Sequence, residues 1–409
     1  MRIGLITGEY PPMQGGVGDF TCELARALNE LGHQAHVITG WPHSAALRPF
    51  RSAPRIGEGR FAEAGSRGDD ANIHRAIESW GVRCWGQIAD VVHQYDLEVL
   101  NIQYEPAAYS MHVGINFLPG RLIRSTIKRP IVTTFHDLLV PYLFPKAGSL
   151  RWKVVEYLAR HSDAVITTNE EDRARLSNLQ RPIANLQLVP IGSNIDPALV
   201  DVFDREQARS RWNIRSDEYL IGYFGFLNLS KGGEVLMRAL KALLDDGLPL
   251  KLLLIGGRTG SSDPTNAEYA AQVERLVTAL NLKGAVITTG YVDSIAVSCA
   301  LFACDVMALP YTDGASLRRG SLLAAIAHGR AIVTTTPLYP IDGLTQDQSA
   351  VFVPPNDPLA LANAIRQVLN DAALRRRLEH GAREAAKLFT WDQIAMRTVE
   401  VYRSVVRDE

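Results

Sequence analysis

Cysteine is scarce in this chain: four residues in 409, Cys22, Cys84, Cys299 and Cys304. They are too few and too scattered for a disulfide framework. No second pair gives Cys299 and Cys304 the spacing of a zinc site, so they are expected to pack as small apolar residues. An excess of one charge is also missing. The formal net charge is -1, which excludes a general nucleic-acid binder while leaving room for local basic patches. No apolar run approaches the ~18 residues that span a bilayer. The opening from Met1 to Pro12 reads as a strand entering a loop, not as a leader peptide. Asp-x-Asp, the Walker lysine loop, HExxH and GxSxG are all absent. Metal-assisted phosphate chemistry therefore has no evident ligand set, and charge stabilisation would fall to cations and helix termini. Repeats of solenoid length are missing too. The expectation is a soluble, cytoplasmic protein with no metal site.

What is present is alternation. Short apolar strands and helical patterns follow one another almost from end to end, which implies parallel sheets with right-handed crossovers. One series of strands is expected at residues 2–7, 35–39, 99–104, 131–135, 164–168 and 186–190, with a helix over about 18–31 after the first. A second series is expected at 219–224, 251–255, 285–289, 306–309, 331–335 and 351–353. A chain of this length exceeds one comfortable core, so two domains are expected. The Gly/Pro/Asn/Asp cluster at 190–197 places the break, giving α/β domains at 1–192 and 193–390. The tail, 391–409, reads as an amphipathic helix with Ile394, Val399, Tyr402 and Val406 on its packing face. Residues 41–70, rich in Arg, Gly, Ser, Pro and Ala, read as a flexible loop beside the cleft, with no chemistry assigned to it.

The densest pattern runs from Cys304 to Thr336: a buried strand, the loop Asp313-Gly314-Ala315-Ser316, a short helix with Leu322, Leu323 and Ile326, and a second buried strand. A helix N-terminus at the carboxyl end of a parallel sheet suits an anion such as a phosphate. Arg318 and Arg319 read as first-turn residues of that helix, where cations oppose the dipole; a bound diphosphate would remove the conflict. Lys231, in the turn Gly225-Phe226-Leu227-Asn228-Leu229-Ser230-Lys231-Gly232-Gly233, is placed to bind a phosphate as a point charge. Gly15 and Gly16, after Glu9 and the first strand, let the backbone approach a ligand. The pattern is not GxGxxG, and no acidic residue stands where an adenosine ribose would need it, which argues against a nicotinamide site. His136 and Asp137 close a strand at the same kind of edge, suited to a polar contact with substrate or to packing.

Taken in order, EYPP, GGVG, LARALNELGH, GFLNLSKGG, LLLIGG, TGYV, CDVMALP and the AIAHGRAIVTT close resemble a retaining glycosyltransferase of family 4 over nearly the whole chain. The resemblance implies a GT-B fold: α/β, two facing Rossmann-like domains with a deep interdomain cleft, the C-terminal helix packing back on the first domain. It implies transfer of a hexose from a nucleoside diphosphate sugar to a hydroxyl of a saccharide, lipid-linked saccharide or small metabolite. The activity is metal-independent, and no cofactor is implied beyond the nucleotide sugar as co-substrate. By position, His136 resembles the histidine at the transferred sugar and Lys231 the lysine at the leaving diphosphate. Gly15, Gly16, Ser316, Leu317, Arg318 and Arg319 fall at the donor diphosphate, while Glu9, Asp137 and Asp313 fall at sugar or acceptor. The chain departs from the family at Phe226, where an arginine is usual, and at Ser316 and Ala324, where two glutamates are usual. Arg318 and Arg319 are expected to replace the missing arginine. The lost glutamates also admit a non-catalytic sugar-nucleotide binder as the alternative. Arg121, Arg124, Lys128, Arg129, Lys146, Arg151 and Lys153, interleaved with apolar residues, would suit peripheral contact with the inner face of a membrane.

Overall fold

The structure, a computed structural model, describes residues 1–13, 15–41, 72–120, 126–138, 148–183, 185–199, 204–257 and 264–406, without the side chains at 148–151, 199, 264 and 265. Beyond Trp41, the loop expected at 41–70 lies outside the described residues. So do Arg121, Arg124, Lys146 and the side chain of Arg151, which carry most of the expected membrane-facing pattern. The chain divides into two compact units, one of Met1–Ile191 with Trp391–Glu409 and the other of Gly192–Thr390.

The first unit holds a parallel sheet of β1 (Arg2–Thr7), β2 (Gln34–Gly40), β3 (Asn72–Ile77), β4 (Val99–Tyr104), β5 (Ile131–Phe135), β6 (Ala164–Thr167) and β7 (Leu186–Leu188). Their spatial order is β3-β2-β1-β4-β5-β6-β7. Strands buried on both faces become continuous apolar runs, which is why β1 and β5 were visible in sequence. β3 was not expected. Asn-Ile-His-Arg-Ala-Ile is an edge strand with mostly half-exposed residues, so it lacks a buried run. The helix Gly16–Glu30 turns Val17, Phe20, Thr21, Leu24 and Leu28 inward at helical spacing. Against it lies the C-terminal helix Trp391–Val405 with Ile394, Ala395, Val399 and Tyr402 buried. The rings of Phe20 and Trp391 meet edge to face at 5.3 Å.

The second unit repeats the plan with β8 (Tyr219–Phe224), β9 (Leu250–Ile255), β10 (Val286–Thr288), β11 (Val306–Leu309), β12 (Ile332–Thr335) and β13 (Val351–Val353), ordered β10-β9-β8-β11-β12-β13. Its core joins the helix Gly233–Asp245, through Leu236, Met237, Leu240 and Leu243, to the helix Pro358–Asn370. Asp305 anchors the opposite end of the sheet, accepting from Arg209 at 3.1 Å, Arg205 at 2.5 Å and Leu220 N at 2.8 Å. In both sheets the chain winds outward one way, then returns to the middle and winds the other way. The reversals fall between β1 and β4 and between β8 and β11. At such switch points the loops leave in opposite directions and open a crevice at the carboxyl edge, where ligands of open α/β sheets bind.

The C-terminal helix is integral to the first unit's core. Ile394→Ala is expected to cost about 2–5 kcal/mol in urea unfolding; a loss near zero would mean the helix merely rests on that core.

Candidate active site

At the switch point of the second unit, β8 delivers the chain into Gly225, whose φ is 111°. A β-carbon there would also displace Lys231 Nζ from its position over the strand end. Lys231 ends the short turn Leu229–Lys231, which Asn228 caps by accepting from Lys231 N at 3.0 Å. Gly232 has φ 69° and lies so close to Pro310 O that a β-carbon could not fit. The ammonium is thus folded back over the strand end. It is half-buried, and no hydrogen-bond or ion-pair partner for it occurs among the described residues. Burial first, and Arg319 second, push its pKa down to about 8.

The loop after β11 supplies the other cations. Arg319 donates to Ser230 Oγ at 3.0 Å and to both oxygens of Asp313 at 2.6 Å, with its guanidinium 5.1 Å from the centre of the Tyr311 ring. Arg318 also donates to Asp313, at 3.2 Å. Thr312 N donates to Ser230 O at 3.0 Å, so the two loops are laced together. The arginines precede the helix rather than lying in the first turn that the sequence pattern predicts. The helix runs Gly320–Ala327 with Arg319 at its N-cap position, because the backbone turns first, Arg319 N donating to Ser316 O at 3.1 Å. Ser316 is half-buried and Leu317 is buried, so Leu317 can offer a ligand only its backbone. Asp313 directs its carboxylate to the two guanidinium groups rather than to open solvent. Phe226 is exposed. Ala324 is buried in the helix, and its carbonyl accepts from His328 Nδ1 at 2.8 Å. A cavity of about 370 Å³ opens beside Gly225, with Leu227, Leu254, Gly256, Val273 and Val286 on its walls and Glu274 and Lys283 among its polar lining.

The switch point of the first unit has the opposite sign. Glu9 follows β1, Glu105 follows β4 and Asp137 lies just past β5. Glu9 accepts from Val17 N at 3.0 Å and Gly18 N at 3.3 Å, so its own carboxylate takes the amides that open the helix Gly16–Glu30. Gly15, before that helix, could not carry a side chain without striking the Glu9 carboxylate. The helix begins at Gly16 rather than near Gly18, because Glu9 satisfies those amides earlier. Glu105 accepts from Ala108 N at 2.8 Å. Burial chiefly raises the pKa of Glu9 and of Glu105; each also repels the other or Asp137. His136 turns its Nε2 to Gln103 Oε1 at 2.9 Å and its ring to Phe20 at 4.6 Å. Burial holds its pKa down to about 3, so the imidazole is neutral.

The fold therefore gathers Lys231, Arg318, Arg319, Asp313 and Ser316 at one edge, and Glu9, Gly15, Gly16 and Asp137 at another. Sequence reasoning missed Glu105 and Gln103. Glu105 stands one residue past a strand end, the same signal that marked His136, and could have been found by it.

Comparison with known proteins fits this geometry. A model for glycosyl transferases group 1 matches residues 204–385, and a model for the glycosyl transferase 4-like domain matches residues 15–192. The D-inositol 3-phosphate glycosyltransferase of Xylanimonas cellulosilytica is 28% identical, covering 99% of this chain and 97% of that protein. The phosphatidyl-myo-inositol mannosyltransferase of Mycobacterium tuberculosis is 26% identical, covering 99% and 97%. Among solved structures, a glycosyltransferase from Rickettsia africae superimposes with a TM-score of 0.73 at 16% identity, over 100% of this chain and 99% of that one. Anabaena HepE in complex with UDP gives 0.75 at 16% identity, over 99% and 100%. The architecture is GT-B, an α/β fold of two domains with parallel sheets. The two family models together take in most of the sequence, and the chain belongs to the GT-B glycosyltransferases of the family 4 type.

Lys231 places a titratable cation at this edge, and its binding of an anion can be tested through pH. Its ammonium loses its proton as pH rises through about 8. Calorimetric affinity for pyrophosphate should therefore be weaker well above that pH than well below it, and Lys231→Met should abolish the difference. Because the folded-state pKa lies below that of free lysine, the unfolded chain binds the proton more tightly. Stability should then rise with pH from about 8 to ~10.4. Affinity independent of pH in the wild type would contradict this assignment.

Proposed function

We propose that this glycosyltransferase moves a hexose from a nucleoside diphosphate sugar to a hydroxyl of its acceptor, with retention of anomeric configuration. The observation that carries the reading is the half-buried Lys231 ammonium with no counter-charge among the described residues. A site that keeps a desolvated cation unpaired is complementary to a dianionic leaving group. Arg318, Arg319 and the backbone at Ser316 and Leu317 complete the diphosphate cradle, and Asp313 holds the two guanidinium groups in place. The cavity beside Gly225 suits the nucleoside portion, with an apolar wall for a flat base. No cofactor or metal ion is assigned to the step; protein cations meet the developing charge.

In the reaction, the bond from the anomeric carbon to the diphosphate oxygen breaks and a bond to the acceptor oxygen forms on the same face. The acceptor proton passes to the departing phosphate oxygen. His136, neutral, contacts the transferred sugar, which Gly15 and Gly16 allow to approach. Because Glu9 already occupies the helix amides behind those glycines, this loop favours an uncharged sugar over a phosphate. Glu9, Glu105 and Asp137 accept hydrogen bonds from acceptor hydroxyls. Their shared charge favours a neutral polyol over a phosphorylated one, so uncharged inositol is the first compound to try, beside the phosphorylated inositols named for the relatives.

Calorimetry and turnover assays with UDP, GDP and ADP sugars test the reading. One nucleotide should bind well ahead of the others. Lys231→Ala should lower turnover roughly a hundred- to a thousand-fold, the scale of losing one preorganised charge-stabilising group, and Arg319→Ala should weaken donor binding. If no nucleoside diphosphate binds, the donor assignment falls. If Arg318→Ala and Arg319→Ala both leave donor affinity intact, these arginines do not replace the one absent at Phe226.

A further inference from the structure

Three polar side chains lie between β4 and β5 where apolar ones would pack: Asn101, Gln103 and Thr134, all nearly inaccessible to water. Buried polar groups add little net stability and are costly when unsatisfied, so a file of them in a sheet interior calls for another explanation. The bonds run in one direction. Thr134 Oγ1 donates to Asn101 Oδ1 at 3.0 Å, and Gln103 Nε2 donates to the same oxygen at 2.7 Å. With its amide nitrogen committed to Asn101, Gln103 presents Oε1 to His136 Nε2 at 2.9 Å. Strand register sets this distance: Gln103 lies opposite Thr134, and His136 N donates to Tyr104 O at 3.0 Å.

We propose that Gln103 is a positioning residue that fixes His136 as its neutral Nε2–H tautomer, leaving Nδ1 as the lone-pair acceptor for a hydroxyl of the bound sugar. An amide oxygen can only accept, so Nε2 must carry the proton, and a neutral acceptor offers the imidazolium no compensating charge. Burial acts in the same direction, holding the ring neutral at physiological pH. The groups around the ring are Phe20 from the helix Gly16–Glu30, Gln103 from β4, and Thr168, whose hydroxyl donates to His136 O at 3.5 Å. The nearby charges are Asp137, next in the chain, and Glu105. Gln103 is fully buried, so its effect on the reaction passes through His136. The role in turnover rests on the sugar contact proposed above for His136; the tautomer does not.

Two measurements separate these claims. In 15N-histidine-labelled protein, the His136 signals, assigned by their loss in His136→Ala, should show a protonated Nε2 and an unprotonated Nδ1. In Gln103→Leu they should show a mixture, with kcat/KM lowered tenfold or more. Gln103→Glu keeps the acceptor but favours the imidazolium. It should approach wild-type turnover at alkaline pH and gain an acidic limb in its pH profile that the wild type lacks. A purely structural role would lower stability without creating that limb. A wild-type Nδ1–H tautomer overturns the proposal, and a Gln103→Glu pH profile identical to wild type overturns its role in turnover; should Gln103→Leu fail to fold, these two readouts still decide. If His136→Ala leaves turnover unchanged, the sugar contact is wrong while the tautomer result stands.

Discussion

A half-buried ammonium group with no counter-charge among the described residues is the constraint around which the second unit's sheet edge is arranged. Gly225 turns the chain beneath it at positive φ, Asn228 caps the turn that presents it, and Gly232 packs against Pro310 to bring it back over the strand end. Arg319 worsens the electrostatics from the adjoining loop. The cost of holding this cation is met by the ordinary apolar core beneath it.

The first unit uses the same plan with the charges reversed. Both sheets reverse their winding at the centre, so both expose a crevice at the carboxyl edge; one crevice carries lysine and arginine, the other Glu9, Glu105 and Asp137. Glu9 also shows how a carboxylate can be spent on structure, since it satisfies the first amides of the following helix and packs against Gly15. One fold repeated twice thus yields two chemically opposite surfaces, and the difference lies in a few residues past each strand end. The relatives and solved structures share the fold at low identity, as expected when function resides in such loops rather than in the sheets.

Much of the sheet framework was legible. β1, β4, β5, β8, β11 and β13 begin and end where their apolar runs do, because a strand buried on both faces admits few polar residues. β3 escaped because an edge strand is under no such restriction. The start of the helix Gly320–Ala327 was misjudged because propensity says little about where the backbone turns before a helix; the Arg319 N to Ser316 O bond decides it. Asn101 and Gln103 were visible as polar residues inside a buried strand, but a sequence gives no reason to connect them with a histidine thirty-odd positions away.

Sequence alone determined that the chain makes two parallel-sheet units and that glycines and cations follow the first strand of the second. These are local properties, set by the period of apolar residues and by the backbone freedom of glycine. Tertiary structure decided which charges are paired. Only the packed loops show that Asp313 serves two arginines while Lys231 has no partner among the described residues, that Glu9 faces a helix terminus, and that Gln103 faces His136. Pairing depends on distances between residues far apart in the chain, and burial then turns those distances into pKa shifts.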